Sequence, residues 1–385
     1  MKILYDYSAF TYQKYGGVSK CFCELISRLP KSVKYEIAIK QSDNIHLQES
    51  GLVANLSRMD LDFSNFICKK NFKGKYNLYH WLSNNMPFFP SADAINMKYS
   101  IDRIKQGDYD IFHPTGFSTY FLSYIGKKPF VYTIHDMTTE IFSSSNGMRK
   151  QTAAIHSIAS RAAHIITVSQ NTKDDVIRLI GIPEEKITVI HHGGPVVKDI
   201  NETAIIDSPY FLYVGARQSY KNFPETLKAF AKFCGNRKNV KLVCTGPDFD
   251  QNEIEMVRVL GLKDNVLHYF ASNKELENLY ANAIAFVYPS LYEGFGMPIL
   301  EAYSYGCPVL VNNKSCFPEI AGGAAIYFEA DSEFSNMDFA FEKIWDMSKE
   351  DRNNLINEGY CRLQMFSWDR AAKQLENVYR CIINK

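Results

Sequence analysis

The densest run of chemically useful residues is Tyr288-Pro289-Ser290-Leu291-Tyr292-Glu293-Gly294-Phe295-Gly296-Met297-Pro298-Ile299-Leu300-Glu301-Ala302. An apolar run ends at Ser290, a loop with two glycines follows, and Pro298 stands where a first helical turn begins. The amides of Phe295, Gly296 and Met297 then point out of a helix N-terminus. That position favours a phosphate, through donors without intrahelical partners and through the helix dipole. Glu293 hangs in the loop, whereas Glu301 lies a turn inside the helix. A carboxylate beside a nucleotide can accept from two ribose hydroxyls; read singly, each glutamate is also an ordinary loop or helix acid.

A second run is Tyr213-Val214-Gly215-Ala216-Arg217-Gln218-Ser219-Tyr220-Lys221-Asn222. It places Arg217 and Lys221 after a strand and before the helix opened by Phe223-Pro224, where two cations can neutralise a diphosphate. Taken alone such a pair is solvated surface; beside an anion-ready helix start it reads as a site. Near the start of the chain, Tyr15-Gly16-Gly17-Val18-Ser19-Lys20 opens a helix running through Phe22, Leu25, Ile26 and Leu29. Gly16 and Gly17 either let backbone approach a ligand or make a plain turn. Thr133-Ile134-His135-Asp136 ends a strand with two polar groups that are catalytic or structural.

Three Asp-x-Asp triplets, Asp60-Leu61-Asp62, Asp108-Tyr109-Asp110 and Asp248-Phe249-Asp250, carry the carboxylates a Mg²⁺ or Mn²⁺ site needs, but chance produces such triplets often. Cys21 and Cys23 fall inside an amphipathic helix and read as packing. His191-His192, beside glycines, reads as a structural or hinge pair more than a metal site. The stretch Phe66-Ile67-Cys68-Lys69-Lys70-Asn71-Phe72-Lys73-Gly74-Lys75-Tyr76, followed by Trp81 and Phe88-Phe89, interleaves cations with aromatics. It suits either a membrane–water interface or a solvated loop over a local core.

These groups need a scaffold. Short β-branched and aromatic runs alternate with helical-period segments, the pattern of parallel sheets covered on both faces by helices. In the first half the expected strands are Lys2–Tyr7, Tyr35–Lys40, Asp110–Thr115, Phe130–Asp136, His164–Ser169 and Ile187–His191. In the second they are Tyr210–Gly215, Val240–Gly246, Val266–Phe270, Ile284–Ser290, Pro308–Val311 and Ala324–Phe328. Each set makes one doubly wound unit, an α/β fold, with a linker from Gly193 through Pro209. Ligands of such sheets sit outside the carboxyl ends of the strands, so the two units are expected to line a common cleft.

The 385 residues suit two domains of roughly 150–200 residues each. With 22% charged residues, 46% from the set AVILMFWYC, 21 Gly and 14 Pro, disordered and collagen-like classes are excluded. The net charge of +1 divides unevenly: residues 1–192 carry 23 basic against 17 acidic residues, and 193–385 carry 20 against 25. No compact basic run or zinc-finger spacing supports nucleic acid as a partner. No apolar stretch reaches the ~18–20 residues of a membrane span, and Met1-Lys2-Ile3-Leu4-Tyr5-Asp6 meets an acid too early for a signal peptide. A cytoplasmic protein is expected. The nine cysteines lack a Cys-x-x-Cys spacing, so reduced thiols are expected.

The segment Glu293-Gly-Phe-Gly-Met-Pro-Ile-Leu-Glu301 resembles the E-x7-E signature of retaining glycosyltransferases of family 4. Arg217 and Lys221 are similar to that family's cationic pair, Gly16-Gly17 to its glycine loop, His135-Asp136 to its strand-end histidine, and Phe366-Ser367-Trp368 to the start of its final helix. The resemblance runs from end to end and is strongest with bacterial enzymes of O-antigen, capsule and exopolysaccharide assembly. It departs at Lys20, where relatives often have Arg, and at His191-His192-Gly193-Gly194-Pro195, where many have Asn-Gly.

The resemblance implies a GT-B fold of two Rossmann-like domains facing a cleft. Residues 1–196 would form the acceptor side together with a returning helix at 367–385, and 197–366 would bind the nucleotide sugar. It implies that Arg217 and Lys221 hold the leaving diphosphate with the amides of Gly16-Gly17 and of Phe295, Gly296 and Met297. Glu301 would bind ribose, Glu293 would touch the donor sugar, and His135 would contact that sugar near its anomeric carbon. No metal or other cofactor is implied beyond the nucleotide diphosphate sugar as co-substrate. GDP-mannose is the preferred donor on this resemblance, with UDP-glucose, UDP-galactose and UDP-N-acetylglucosamine open. The acceptor would be a growing or lipid-linked glycan at the inner membrane face. Two other readings stand beside it, an epimerase or hydrolase on the same fold and a non-catalytic subunit that binds nucleotide sugar.

Overall fold

The computed structural model describes residues 1–59, 74, 75, 78, 79, 81, 82, 91–142, 145–198, 200, 202–217, 219–235, 237, 239–330 and 335–384. The Asp60-Leu61-Asp62 triplet and most of the basic-aromatic stretch, including 66–73, Tyr76, Phe88 and Phe89, lie outside those residues. The chain forms two compact units. The first comprises Met1–Val168, Lys173–Ile190 and Trp368–Lys385, and the second Ser169–Thr172 and His191–Ser367.

In the first unit the strands are β1 (Lys2–Tyr5), β2 (Lys34–Ile37), β3 (Ile111–His113), β4 (Val131–Ile134), β5 (His164–Thr167) and β6 (Ile187–Val189). All pair in parallel, in two ladders of order β2-β1-β3 and β4-β5-β6. A single bridge between Phe112 and Phe130 joins the ladders, with Phe112 N donating to Pro129 O at 3.1 Å. Strands such as Val131–Ile134 are buried at every position, as both-face coverage by helices requires. The helix Gly17–Ser27 buries Cys21, Phe22, Leu25 and Ile26 at three- and four-residue spacing.

The last helix, Trp368–Ile383, belongs to this unit and buries Trp368, Ala371, Ala372, Leu375, Val378 and Tyr379. Each buried large apolar side chain in that stripe contributes about 1.5–3 kcal/mol. Polar contacts fix its register. The Tyr379 hydroxyl meets the Tyr5 hydroxyl at 2.8 Å and His113 Nδ1 at 2.6 Å, while His113 Nε2 meets Thr133 Oγ1 at 2.9 Å.

The second unit holds β7 (Tyr210–Val214), β8 (Lys241–Thr245), β9 (Val266–His268), β10 (Ala285–Tyr288), β11 (Val309–Asn312) and β12 (Ala325–Phe328). They form one parallel sheet of order β12-β11-β10-β7-β8-β9, the doubly wound arrangement, with the order reversing between β7 and β10. The core on one face is aromatic: Phe211 meets Phe341 at 4.7 Å and Phe233 at 5.5 Å, both edge to face. All twelve expected strands are present, each within a few residues of its expected bounds.

The change of unit comes at His191 and not after 196. His191 Nε2 hydrogen-bonds Glu319 Oε1 at 2.6 Å, Gly194 N donates to Phe366 O at 3.1 Å, and Lys198 N donates to Ser304 O at 2.9 Å. The segment read as a free linker is therefore tied down along the second unit. No helix of the described residues is long and apolar enough to cross a membrane, and the eight described cysteines are unpaired thiols.

Candidate active site

Arg217 follows β7 through Gly215 and is not a free surface cation. Its side chain is 3% exposed, with Nε donating to Glu253 Oε1 at 2.9 Å and Nη2 to Glu253 Oε2 at 3.3 Å. Nη2 also donates to the carbonyls of Pro247 at 2.5 Å and Asp248 at 2.8 Å, and the guanidinium lies 4.8 Å from the Phe249 ring centre. Glu253 is in turn the third residue of a capping box with Asp250 on the helix Gln251–Val259. Nη1 is buried and meets no hydrogen-bond partner among the described residues. The arginine thus presents one fixed donor from a held guanidinium. Behind it the loops after β7 and β8 touch, since a Cβ built on Gly246 would stand 2.6 Å from Gly215 O.

Lys221 and Glu293 are joined directly, Nζ to Oε1 at 2.6 Å, with side chains 22% and 14% exposed. Both were expected in open solvent; they are instead a half-buried ion pair. The Glu293 loop is pinned from both sides by Ser315, whose hydroxyl accepts from Glu293 N at 3.1 Å and donates to Glu293 O at 2.7 Å. Burial first, and then the Glu293 charge, push the Tyr288 phenol well above its usual range. Asn222 reaches across to Ala330 O at 3.2 Å and fixes the turn that carries Lys221.

The helix after the glycine loop runs Met297–Ser304, with Pro298 in its first turn and Gly296 as its N-cap. Gly296 has φ +90°, a conformation that costs glycine nothing and other residues much. No side chain caps this N-terminus, so its first amides are available to an anion. Phe295 is buried, edge to face with His192 at 4.8 Å and with Phe366 at 5.7 Å, which holds the loop from the side. Ser169 supports the same loop by donating to Gly294 O at 2.6 Å. Glu301 is half-buried beside the stacked rings of Tyr280 and Tyr305, whose phenols are raised by burial and, after it, by charges that include Glu301.

In the first unit Gly16 is the extended N-cap and Gly17 the first residue of the helix Gly17–Ser27. A Cβ on Gly17 would meet nothing within 4 Å. Asn44 holds this turn, donating to Gln13 O at 2.8 Å and to Ser19 Oγ at 2.9 Å. His135, just past β4, meets Phe22 of that helix edge to face at 5.9 Å. The glycine turn and the histidine are therefore neighbours. Burial pulls the His135 pKa down to about 4, against the opposing Asp136 charge, so its imidazole is neutral at pH 7.

The fold thus pairs Lys221 with Glu293 and gathers the loop amides and Glu301 into one loop-helix element. Arg217 it turns toward Glu253. Sequence reading missed Glu253, Ser315, Asn222 and Asn44, which position the others. Only Glu253 left a signal, the Asp250-x-x-Glu253 capping box. The remaining Asp-x-Asp carboxylates have local duties. Asp108 pairs with Lys2 Nζ and Asp110 accepts Lys2 N, both at 2.7 Å, while Asp250 caps its helix.

Residues 15–194 match the family model described as Glycosyltransferase Family 4, and residues 198–360 the model described as Glycosyl transferases group 1. The O-antigen chain mannosyltransferase RfbU of Salmonella typhimurium is 36% identical over 181 residues; the match spans about half of each chain, 46% of this one and 49% of that one. An uncharacterized glycosyltransferase of Methanocaldococcus jannaschii is 30% identical over 300 residues, 71% of this chain and 75% of its own. Among solved structures, sucrose-phosphate synthase from Thermosynechococcus elongatus shares the fold, with a TM-score of 0.68 over 100% of this chain and 99% of that one at 18% identity.

Proposed function

Because this chain belongs to glycosyltransferase family 4 and has the GT-B fold, we propose that it is a retaining hexosyltransferase that moves mannose from GDP-mannose to a growing, lipid-linked glycan. The observation that carries this reading is the assembly beside the sheet's reversal point in the second unit. There the Lys221–Glu293 pair, the buried Arg217 Nη1 and the uncapped start of the helix Met297–Ser304 follow neighbouring strands. A diphosphate satisfies each of these donors. The preference for mannose is supported by the likeness to an O-antigen chain mannosyltransferase.

In this reading Arg217 Nη1, Lys221 and the amides of Phe295, Gly296 and Met297 hold the diphosphate, helped by the amides at Gly16 and Gly17. Glu301 accepts from ribose and Glu293 from hydroxyls of the donor sugar. The bond between the anomeric carbon and the diphosphate oxygen breaks toward these cations, and the acceptor oxygen attacks from the same face. Its proton passes to the departing phosphate oxygen. Stabilising that leaving charge is what lowers the barrier. His135, neutral, lends a ring nitrogen without repelling positive charge at the anomeric carbon. No metal or further cofactor takes part. The basic first half faces the acceptor and the inner membrane surface, and the protein works in the cytoplasm.

Calorimetric titration with GDP, UDP, ADP and dTDP tests the donor, and turnover on polyprenyl-diphosphate-linked saccharides tests the transfer. GDP is expected to bind most tightly, and Lys221→Ala to lower turnover by about 10²–10³ while leaving the fold intact. Binding of no nucleotide, or near-normal turnover in Lys221→Ala, refutes the assignment.

A further inference from the structure

In the first unit the strand order reverses between β1 and β3, and the crevice outside the carboxyl ends of those strands is where open parallel sheets bind ligands. Asp6 follows β1 and Thr115 follows β3. The Asp6 carboxylate, 1% exposed, accepts from Thr115 N at 2.7 Å, Thr115 Oγ1 at 2.6 Å, Ser8 Oγ at 2.7 Å and the Tyr120 hydroxyl at 3.4 Å. A Cβ built on Gly116 would stand 2.6 Å from Ser8 Cβ, so the two loops are in contact. The floor of the crevice is rigid and its hydrogen bonds are made.

Beside that floor stand two polar atoms whose bonds are not made. Tyr7 is fully buried, its ring centre 5.8 Å from that of Tyr120, and its hydroxyl has no hydrogen-bond partner among the described residues. Oδ1 of Asp93, in the first turn of the helix Ala92–Gln106, is buried and likewise without a partner there. The two share one cluster: after burial, the Asp93 charge is the next cause raising the phenols of both Tyr7 and Tyr12. The Tyr12 side chain is exposed and borders the cluster on the solvent side. Native folds rarely leave a buried donor and a buried acceptor side by side and unsatisfied.

We propose that this crevice is a carbohydrate site in which the Tyr7 hydroxyl donates to, and the Asp93 carboxylate accepts from, adjacent hydroxyls of one pyranose residue of the acceptor glycan, with the Tyr12 and Tyr120 rings against its apolar face. The chemistry narrows the occupant. Asp6 and Asp93 repel an anion, and an apolar ligand leaves both atoms unsatisfied. A neutral vicinal diol supplies one acceptor and one donor. The proposal rests on the transferase reading only in taking the pyranose to be the acceptor's.

The test is saturation-transfer NMR on the full chain with methyl α-glycosides of mannose, glucose, galactose and N-acetylglucosamine. Titrations with GDP and UDP run in parallel. At least one glycoside is expected to bind, about tenfold or more weakly to Tyr7→Phe and to Asp93→Asn, with nucleotide affinity unchanged. Tyr7→Phe deletes an unpaired buried hydroxyl, so its melting temperature is expected to hold or rise. Undiminished glycoside binding in both variants, or binding of no glycoside, overturns the proposal. So does a fall of the Tyr7→Phe melting temperature, which marks a structural hydroxyl. Binding abolished by Glu293→Ala but kept by Asp93→Asn puts the sugar at the donor position and also overturns it. If no nucleotide binds while the Tyr7 and Asp93 results hold, the transferase reading fails and the carbohydrate site stands.

Discussion

Arg217 joins catalysis to stability in a way that can be measured. Its side chain is 3% exposed and that of Glu253 is 14% exposed, and the guanidinium is engaged by one carboxylate, two carbonyls and the Phe249 ring. Removing one partner of such a pair leaves the other charge buried and uncompensated, at a cost of about 3–5 kcal/mol. In a unit of this size that lowers the melting temperature by about 6–20 °C. Arg217→Met and Glu253→Met should each show this loss in urea unfolding followed by circular dichroism. The double variant, which buries no charge, should cost less than the sum by about 2 kcal/mol or more. Single variants within about 1 kcal/mol of the parent, or strictly additive losses, refute the claim that this ion pair is buried and coupled. Lost activity in Arg217→Ala must accordingly be separated from lost fold before it is assigned to diphosphate binding.

Two further outcomes follow from the same geometry. Burial lowers the pKa of His135 to about 4 and that of His113 to about 3, the latter helped by the neighbouring His135. Below about pH 6.5 the unfolded chain binds protons that the folded chain refuses, so stability is full above that pH and drains toward pH 4 and then 3. The slope reaches up to about 2.7 kcal/mol per pH unit, and an unfolding midpoint that does not move between pH 7 and pH 5 contradicts it. Gly246, with φ +107° and the Gly215 carbonyl 2.6 Å from where a Cβ would lie, should not accept alanine. Gly246→Ala is expected to cost about 2–6 kcal/mol in urea unfolding; a loss under about 0.5 kcal/mol would show that the two loops can part.

Much of this protein is legible in its residue order because the information is local. Each of the twelve strands is a short β-branched or aromatic run bounded by glycine, proline or polar residues, and each was found in its place. The Gly296 N-cap and Pro298 mark the start of the helix Met297–Ser304 in the sequence itself. Partnership was not legible. Lys221 and Glu293 are 72 positions apart and Arg217 and Glu253 are 36 apart, and nothing near either cation says that it is half-buried and paired. Tyr379 reaches His113 across 266 positions, and Asp6 reaches Thr115 across 109. Such contacts depend on the order in which parallel strands lie side by side. In both sheets that order reverses between strands that are not consecutive in the chain, β1 beside β3 and β7 beside β10. Local propensity forms a strand whichever neighbour it receives. Only the packing of helices on both faces of the finished sheet selects the neighbour, and with it which loops meet and which polar atoms are left to face a ligand.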